Sequence, residues 1–180
     1  YVTHSRDEAV SLGERLLVIE HGRIRARGEP LEKFAPPLSP TIARLTGVEN
    51  LFNGVVAAIH PSAGTVSGDI TDPHGECKVE APVGNYREHE HVTLAIRSGD
   101  ILLATERLEH TSARNNLPGR ITGLERRSDR TLVRVLAGVE WIVRVTEQAV
   151  EELKLENGRP VWLAFKTHSC YVLDREHGGL

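Results

Sequence analysis

Two stretches of this chain repeat each other. Residues 54–59, GVVAAI, align with residues 119–124, GRITGL, and residues 92–98, VTLAIRS, align with residues 161–167, VWLAFKT. The spacing is nearly kept, Gly54 to Val92 being four residues shorter than Gly119 to Val161. A unit of roughly 60 residues buries too little surface to be comfortable alone. The two copies are therefore expected to pack on each other.

Within the copies, short alternating segments stand between Gly, Pro, Asp and Ser turns: GTVSGDI, ECKVEA, HVTLAIR, DILLA, TLVRVL and VEWIVRV. Many short strands with frequent turns predict small β-barrels. In VEWIVRV, Val139, Trp141, Val143 and Val145 alternate with Glu140 and Arg144, and Ile142 breaks the pattern. TEQAVEELKL is the one helical stretch, with Val150 and Leu153 on one face. It occupies the place where the second copy is longer.

Before the repeats the texture is mixed α/β. Residues 1–3 read as a strand end; Ser5 and Glu8 form a capping box for a helix that turns Ala9, Val10 and Leu12 inward and stops near Gly13. LLVIE, residues 16–20, is a continuous apolar run, expected of a strand buried on both faces. His21 and Gly22 turn it into RIRAR, Gly28 ends that strand, and Pro30 and Ser39-Pro40 suit the starts of two short helices. The expected division is 1–48 for this region, 49–110 and 111–175 for the two modules, and 176–180 for a tail. The fold class is mostly β with an α/β N-terminal remnant.

Charge and composition exclude several classes. A net charge of −3 with interspersed signs gives no basic field for a nucleic-acid backbone. No apolar run approaches the ~18 residues of a membrane span. Cys77 and Cys170 match no metal spacing, which suggests free thiols in a reducing compartment while leaving one bridge open. His89 and His91 share a turn without a third ligand, a poor metal site, so no metal is expected. Trp141 and Trp162 lie in strands and read as core or interface. GLERRSDR, residues 123–130, is a charged hairpin tip without interleaved aromatics.

Residues 1–47 resemble the end of an ABC transporter ATPase domain: Val2-Thr3-His4-Ser5 at a strand end, a capped helix, then LLVIEHGRIRARGEP. The resemblance implies that His4 is a switch histidine bonding the γ-phosphate of ATP. That place is reasonable, since ligands of open α/β sheets sit beyond the carboxyl ends of strands. No phosphate-cradling Gly-x-x-x-x-Gly-Lys loop and no strand-end acidic pair for Mg²⁺ is present. The chain is thus expected to be a fragment, inactive alone, of a parent that uses ATP and Mg²⁺.

A second constellation is TSARNNLPGRI, residues 111–121. Ser112-Ala113-Arg114-Asn115, followed by Leu117 and Gly119, resembles the opening of the TOBE/Mop molybdate-binding modules, and the likeness continues through Thr146, EELKLENGRPV and Lys166-Thr167. It implies two tandem OB-like barrels after the end of a P-loop ATPase domain. The chemistry agrees. A tetrahedral dianion such as molybdate or tungstate only accepts hydrogen bonds, so its site needs donors alone. The resemblance implies an oxyanion site of Ser112, Ala113, Arg114, Asn115, Thr146, Lys166 and Thr167; Ser112, Arg114, Thr146, Lys166 and Thr167 bring side-chain donors, and Asn115 could hold the loop rather than touch the anion. Thr146 could cap the helix starting at Glu147, whose dipole favours anions; Glu147 itself is expected to point outward.

In the first copy Gly47 stands opposite Ser112, Glu49 opposite Arg114 and Pro82 roughly opposite Thr146, so it is not expected to form a complete site. Arg97 and Ser98 match Lys166 and Thr167 and could join a composite site between modules or subunits. The leading expectation is the regulatory, molybdate-binding end of an importer ATPase: homodimeric, cytoplasmic and held at the inner face of the plasma membrane by permease subunits. One rival is a purely structural region of a sulfate or sugar importer, although the usual Arg-Pro-Glu-Asp is here Arg97-Ser98-Gly99-Asp100. Another is a free-standing molybdate store or sensor.

Overall fold

The computed structural model describes residues 1–3, 6–20, 22–29, 43, 47–127 and 130–174. Near the start, α1 (Arg6–Leu12) precedes an antiparallel hairpin of β1 (Leu16–Glu20) and β2 (Arg23–Gly28). Gly22 takes the left-handed turn at φ +75°, which costs glycine little. The expectation of a strand buried on both faces fails. Leu17 and Ile19 are 56% and 60% exposed, as is Leu12 at 66%, against the inward place expected of it. The apolar run asks for a covering layer that the described residues do not supply. Ser5 and the two helix starts at Pro30 and Ser39-Pro40 lie outside the described residues.

The remainder is β. The first copy contributes β3 (Asn50–His60), β4 (Thr65–Asp72), β5 (Gly75–Pro82), β6 (His91–Ile96) and β7 (Leu102–Ala104). The second contributes β8 (Asn115–Arg127), β9 (Arg130–Ala137), β10 (Val139–Val145), α2 (Glu147–Glu152), β11 (Pro160–Phe165) and β12 (Tyr171–Asp174). The long first strand of each copy carries a bulge at the matching place, between Val56 and Ala58 in β3 and between Ile121 and Gly123 in β8. A bulge bends a strand and sharpens its twist, as a small OB-like barrel requires.

The sheets do not follow chain order. One runs β12-β6-β3-β4-β5 and the other β10-β9-β8-β11-β7. Each copy therefore gives its last strand to the other: β7 pairs with β11, Leu103 opposite Leu163, and β12 pairs with β6, Val172 opposite Leu94. A single buried cluster joins Phe52, Val66, Ile70, Val79 and Leu94 to Ile121, Val133, Val143, Leu163 and Phe165. Trp141, fully buried, lies 4.7 Å from the Phe52 ring of the other copy and 5.2 Å from Phe165. Tilted pairs at these separations are favoured by the ring quadrupoles, and the indole N–H donates to the Ala137 carbonyl at 3.3 Å.

Polar contacts repeat the exchange. Asn50, 2% exposed, donates to the Ile142 carbonyl at 2.8 Å and accepts from the Ile142 N–H at 2.7 Å. Asn115, 3% exposed, does the same to Glu80, at 2.9 and 2.8 Å. Glu80 and Ile142 are equivalent, facing Ser67 and Arg134 in registers that follow the two bulges. Each copy thus clamps a strand of the other by a side-chain amide that satisfies both main-chain groups, and Ile142 breaks the alternation of β10 at the clamped position.

The tips of the hairpins β4–β5 and β9–β10 also meet: a Cβ on Gly138 (φ +78°) would run into the Glu76 carbonyl oxygen and lie 2.9 Å from Cys77 Cβ. Beside them, Asp72 accepts from the N–H groups of Glu140 (2.7 Å), His74 (2.7 Å) and Gly75 (3.1 Å). Burial raises this carboxyl, but the three backbone donors outweigh it and hold it below the usual range. Both thiols are free. Burial pushes Cys170 up to about 12, and burial with the charge of Asp69 pushes Cys77 up to about 11, so neither is a nucleophilic thiolate at neutral pH.

Two outcomes follow from the shared interface. Asn50→Ala and Asn115→Ala should each lower unfolding free energy by roughly 1–3 kcal/mol, because two part-buried main-chain groups lose their partners; urea denaturation measures this, and a loss below ~0.5 kcal/mol would contradict the clamp. Asp72 has a depressed folded-state pKa, so its contribution is fully present above the ordinary carboxylate value of about 3.9 and is lost as pH falls through the depressed one. The stability gap between wild type and Asp72→Asn should be constant from about pH 5 to about pH 7 and should shrink on further acidification.

Candidate oxyanion site

The register of β8 and β11 brings the backbone at Arg114 beside that at Lys166, with Ser112 and Thr167 a residue or two away along the chain. Phe165 pairs with Asn115, so the residues just beyond, Lys166 and Arg114, emerge side by side. Arg114 and Lys166 are exposed, as is Ser112, whereas Thr167 is 6% exposed. Lys166 opens a 3-10 turn, Thr167–Ser169, that packs against β5 of the first copy. Ala113 is buried, its N–H donated to Thr111 Oγ1 at 3.2 Å. Asn115 spends its amide oxygen and one N–H on the main chain of Glu80, which fixes the loop.

Sequence reasoning missed Glu80. Its carboxylate takes the Arg114 guanidinium by both oxygens, Nε to Oε2 at 2.6 Å and Nη2 to Oε1 at 3.3 Å. The hydrogen bonds and the charge of Glu80 push the guanidinium still further up from its ordinary value. The signal was faint, since ECKVEA gives no hint that this acid crosses to the other copy.

Thr146 stands apart from this cluster. Val145 pairs with Thr131 and Thr131 with Arg126, so Thr146 follows the strand that runs beside the far end of β8 from Asn115. It caps α2 as expected, accepting from the Ala149 N–H at 3.2 Å. Glu147 points away from the cap, accepting from Thr131 Oγ1 at 2.7 Å and pairing with Arg126 at 2.9 Å. Thr146 lines a cleft of about 190 Å³ with Arg130, Arg144 and Val145.

The matching place in the first copy is built differently. Asn50 pairs with Ile96, which sets Glu49 beside Arg97. Glu49 accepts the Ser98 N–H at 3.1 Å, and the Ser98 hydroxyl is buried without a hydrogen-bond partner. The Arg144 guanidinium lies against Gly99, its Cζ 3.1 Å from where a Cβ would stand. The turn Ser98–Asp100 thus packs against β10 of the second copy, the strand that leads to Thr146. Among the described residues no group of three His, Cys, Asp or Glu side chains could hold a metal ion. His4 lies outside the described residues.

Comparison with known proteins agrees with this picture. Residues 111–172 match the TOBE domain. The chain is 33% identical over 96% of its length to the molybdate/tungstate import ATP-binding protein WtpC of Pyrococcus abyssi, and 31% identical over 93% to the molybdenum import ATP-binding protein ModC of Rhizobium meliloti. It spans about half the length of these relatives, 46% in both cases. A crystal structure of the cytoplasmic molybdate-binding protein ModG with molybdate bound superposes with a TM-score of 0.59 at 26% identity, covering 69% of this chain and 95% of that one. Residues 111–172 are therefore a TOBE domain, set in a chain similar along almost its whole length to the ATP-binding proteins of molybdate and tungstate import.

Proposed function

We propose that this chain is the C-terminal, oxyanion-binding region of an ATP-binding subunit that drives molybdate or tungstate import. The observation that carries the reading is the register of β8 and β11, which sets Arg114 and Lys166 at adjoining strand ends, with Ser112 and the buried Thr167 close along the chain. Cations and hydroxyls suit a dianion that can only accept, and the one carboxylate set against them among the described residues is that of Glu80 on Arg114. The ModG likeness and the import proteins' names support the same ligand.

In the intact parent, His4 would sense the γ-phosphate, and ATP and Mg²⁺ would be held by parts not contained in this sequence. The exposed apolar residues of β1 and β2 support burial against such parts. Permease subunits are the partners this reading requires, placing the protein on the cytoplasmic side of the membrane; among the described residues no helix is long and apolar enough to cross one. Thr146, set apart from Arg114 within one chain, would reach such a cluster from a second copy, in keeping with a homodimer. Bound oxyanion would then favour one arrangement of the attached ATPase domains by as much as it binds that arrangement better.

A second reading, a purely structural TOBE region, draws support from the Arg114–Glu80 pair, which already gives the guanidinium a partner. Thermal melting with molybdate separates the two. At a free concentration 100-fold above Kd, binding adds about 2.7 kcal/mol, or roughly 5–10 °C for a chain of this size. Arg114→Ala should abolish the shift. An unchanged melting curve for wild type at millimolar molybdate would favour the structural reading.

A further inference from the structure

The Arg114 fork is occupied by a group of the protein's own. Glu80 comes from the other copy and offers two acceptor oxygens to Nε and Nη2, the same bidentate geometry in which a guanidinium takes an oxyanion. Its main chain cannot leave: the Glu80 N–H and carbonyl are both held by Asn115, and the Cys170 thiol also approaches the carbonyl at 3.5 Å. Its side chain can. The Glu80 and Arg114 side chains are 31% and 55% exposed, and a pair this open to water contributes little.

From this we infer that Glu80 is a resident competitor for the oxyanion site, a tethered carboxylate that must swing off Arg114 before a dianion can take its place. The inference rests on the function proposed above and adds the residue that sets its affinity. A fixed backbone with a mobile carboxylate makes the competitor local, so its effective concentration does not change with dilution. If Glu80 stayed in place, its charge would repel a dianion that has no proton to share. A protonated oxyanion such as hydrogen phosphate could instead donate to it. The equivalent cradle of the first copy offers nothing of this kind, because position 49 is itself an acid, engaged with the Ser98 N–H.

The test is calorimetric titration of the 180-residue chain with sodium molybdate at fixed ionic strength, for wild type, Glu80→Gln, Glu80→Ala and Arg114→Ala. Both Glu80 variants keep the main-chain bonds to Asn115, and melting without ligand checks that each folds. Removing the competitor and its repulsion should tighten molybdate binding about tenfold in both, while Arg114→Ala binds none. Equal affinity in wild type and the Glu80 variants, with Arg114→Ala inactive, would overturn the competitor and leave the site standing. Weaker binding in the Glu80 variants, or a phosphate affinity in wild type that disappears with them, would make the carboxylate a ligand and overturn the inference. Absence of binding in all four proteins would remove the functional reading and this inference together.

Discussion

The exchange of terminal strands is the constraint on which the rest of the structure depends. Neither copy closes its own sheet, since the edge beside β6 is filled by β12 and the edge beside β11 by β7. An open edge of unpaired N–H and C=O groups is a liability, and here each copy covers an edge of the other with a short strand. The two copies share one core, with Trp141 against Phe52 across the junction. A unit of this size has too little interior by itself. The duplication is therefore a single cooperative body rather than two beads, and side chains at the junction are positioned by both copies at once.

That junction is nearly symmetric in backbone and unlike in chemistry. Asn50 and Asn115 make the same double clamp, on Ile142 and Glu80. The residue before each clamp differs in sign, Glu49 in one copy and Arg114 in the other. The clamped residue differs too, apolar Ile142 against acidic Glu80. The result is two cradles of similar geometry: one holds a carboxylate against its own backbone N–H, the other a guanidinium against a carboxylate from across the interface. The second sets the guanidinium of Arg114 against Glu80, whereas in the first the Arg144 guanidinium lies against Gly99. The amides that fix the main chain and the acid that meets Arg114 are separate groups, so the loop is held independently of the ion pair.

Much of the fold was legible. Period-two alternation in TLVRVL and VEWIVRV, and turn residues between short apolar segments, gave the strands of both copies, and Thr146 capped its helix where TEQAVEELKL began. The continuous run LLVIE misled, because a run of apolar residues reports a demand for burial and not its supply. Leu17 and Ile19 remain exposed in a two-stranded hairpin. Asn115 read as a loop holder, and its partner in that role, Asn50, passed unnoticed because an Asn at a strand start is unremarkable until its main-chain target is known.

The order of residues by itself determined which groups could accept or donate protons, which segments would be strands, and that the unit occurs twice. These depend on composition and local period, which each segment carries with it. The tertiary structure alone decided that terminal strands change places, that Glu80 reaches Arg114, and that Thr146 stands away from the cluster of Arg114 and Lys166. Such pairings join residues tens of positions apart through register and sheet order, and no local propensity encodes the partner that a strand edge will find.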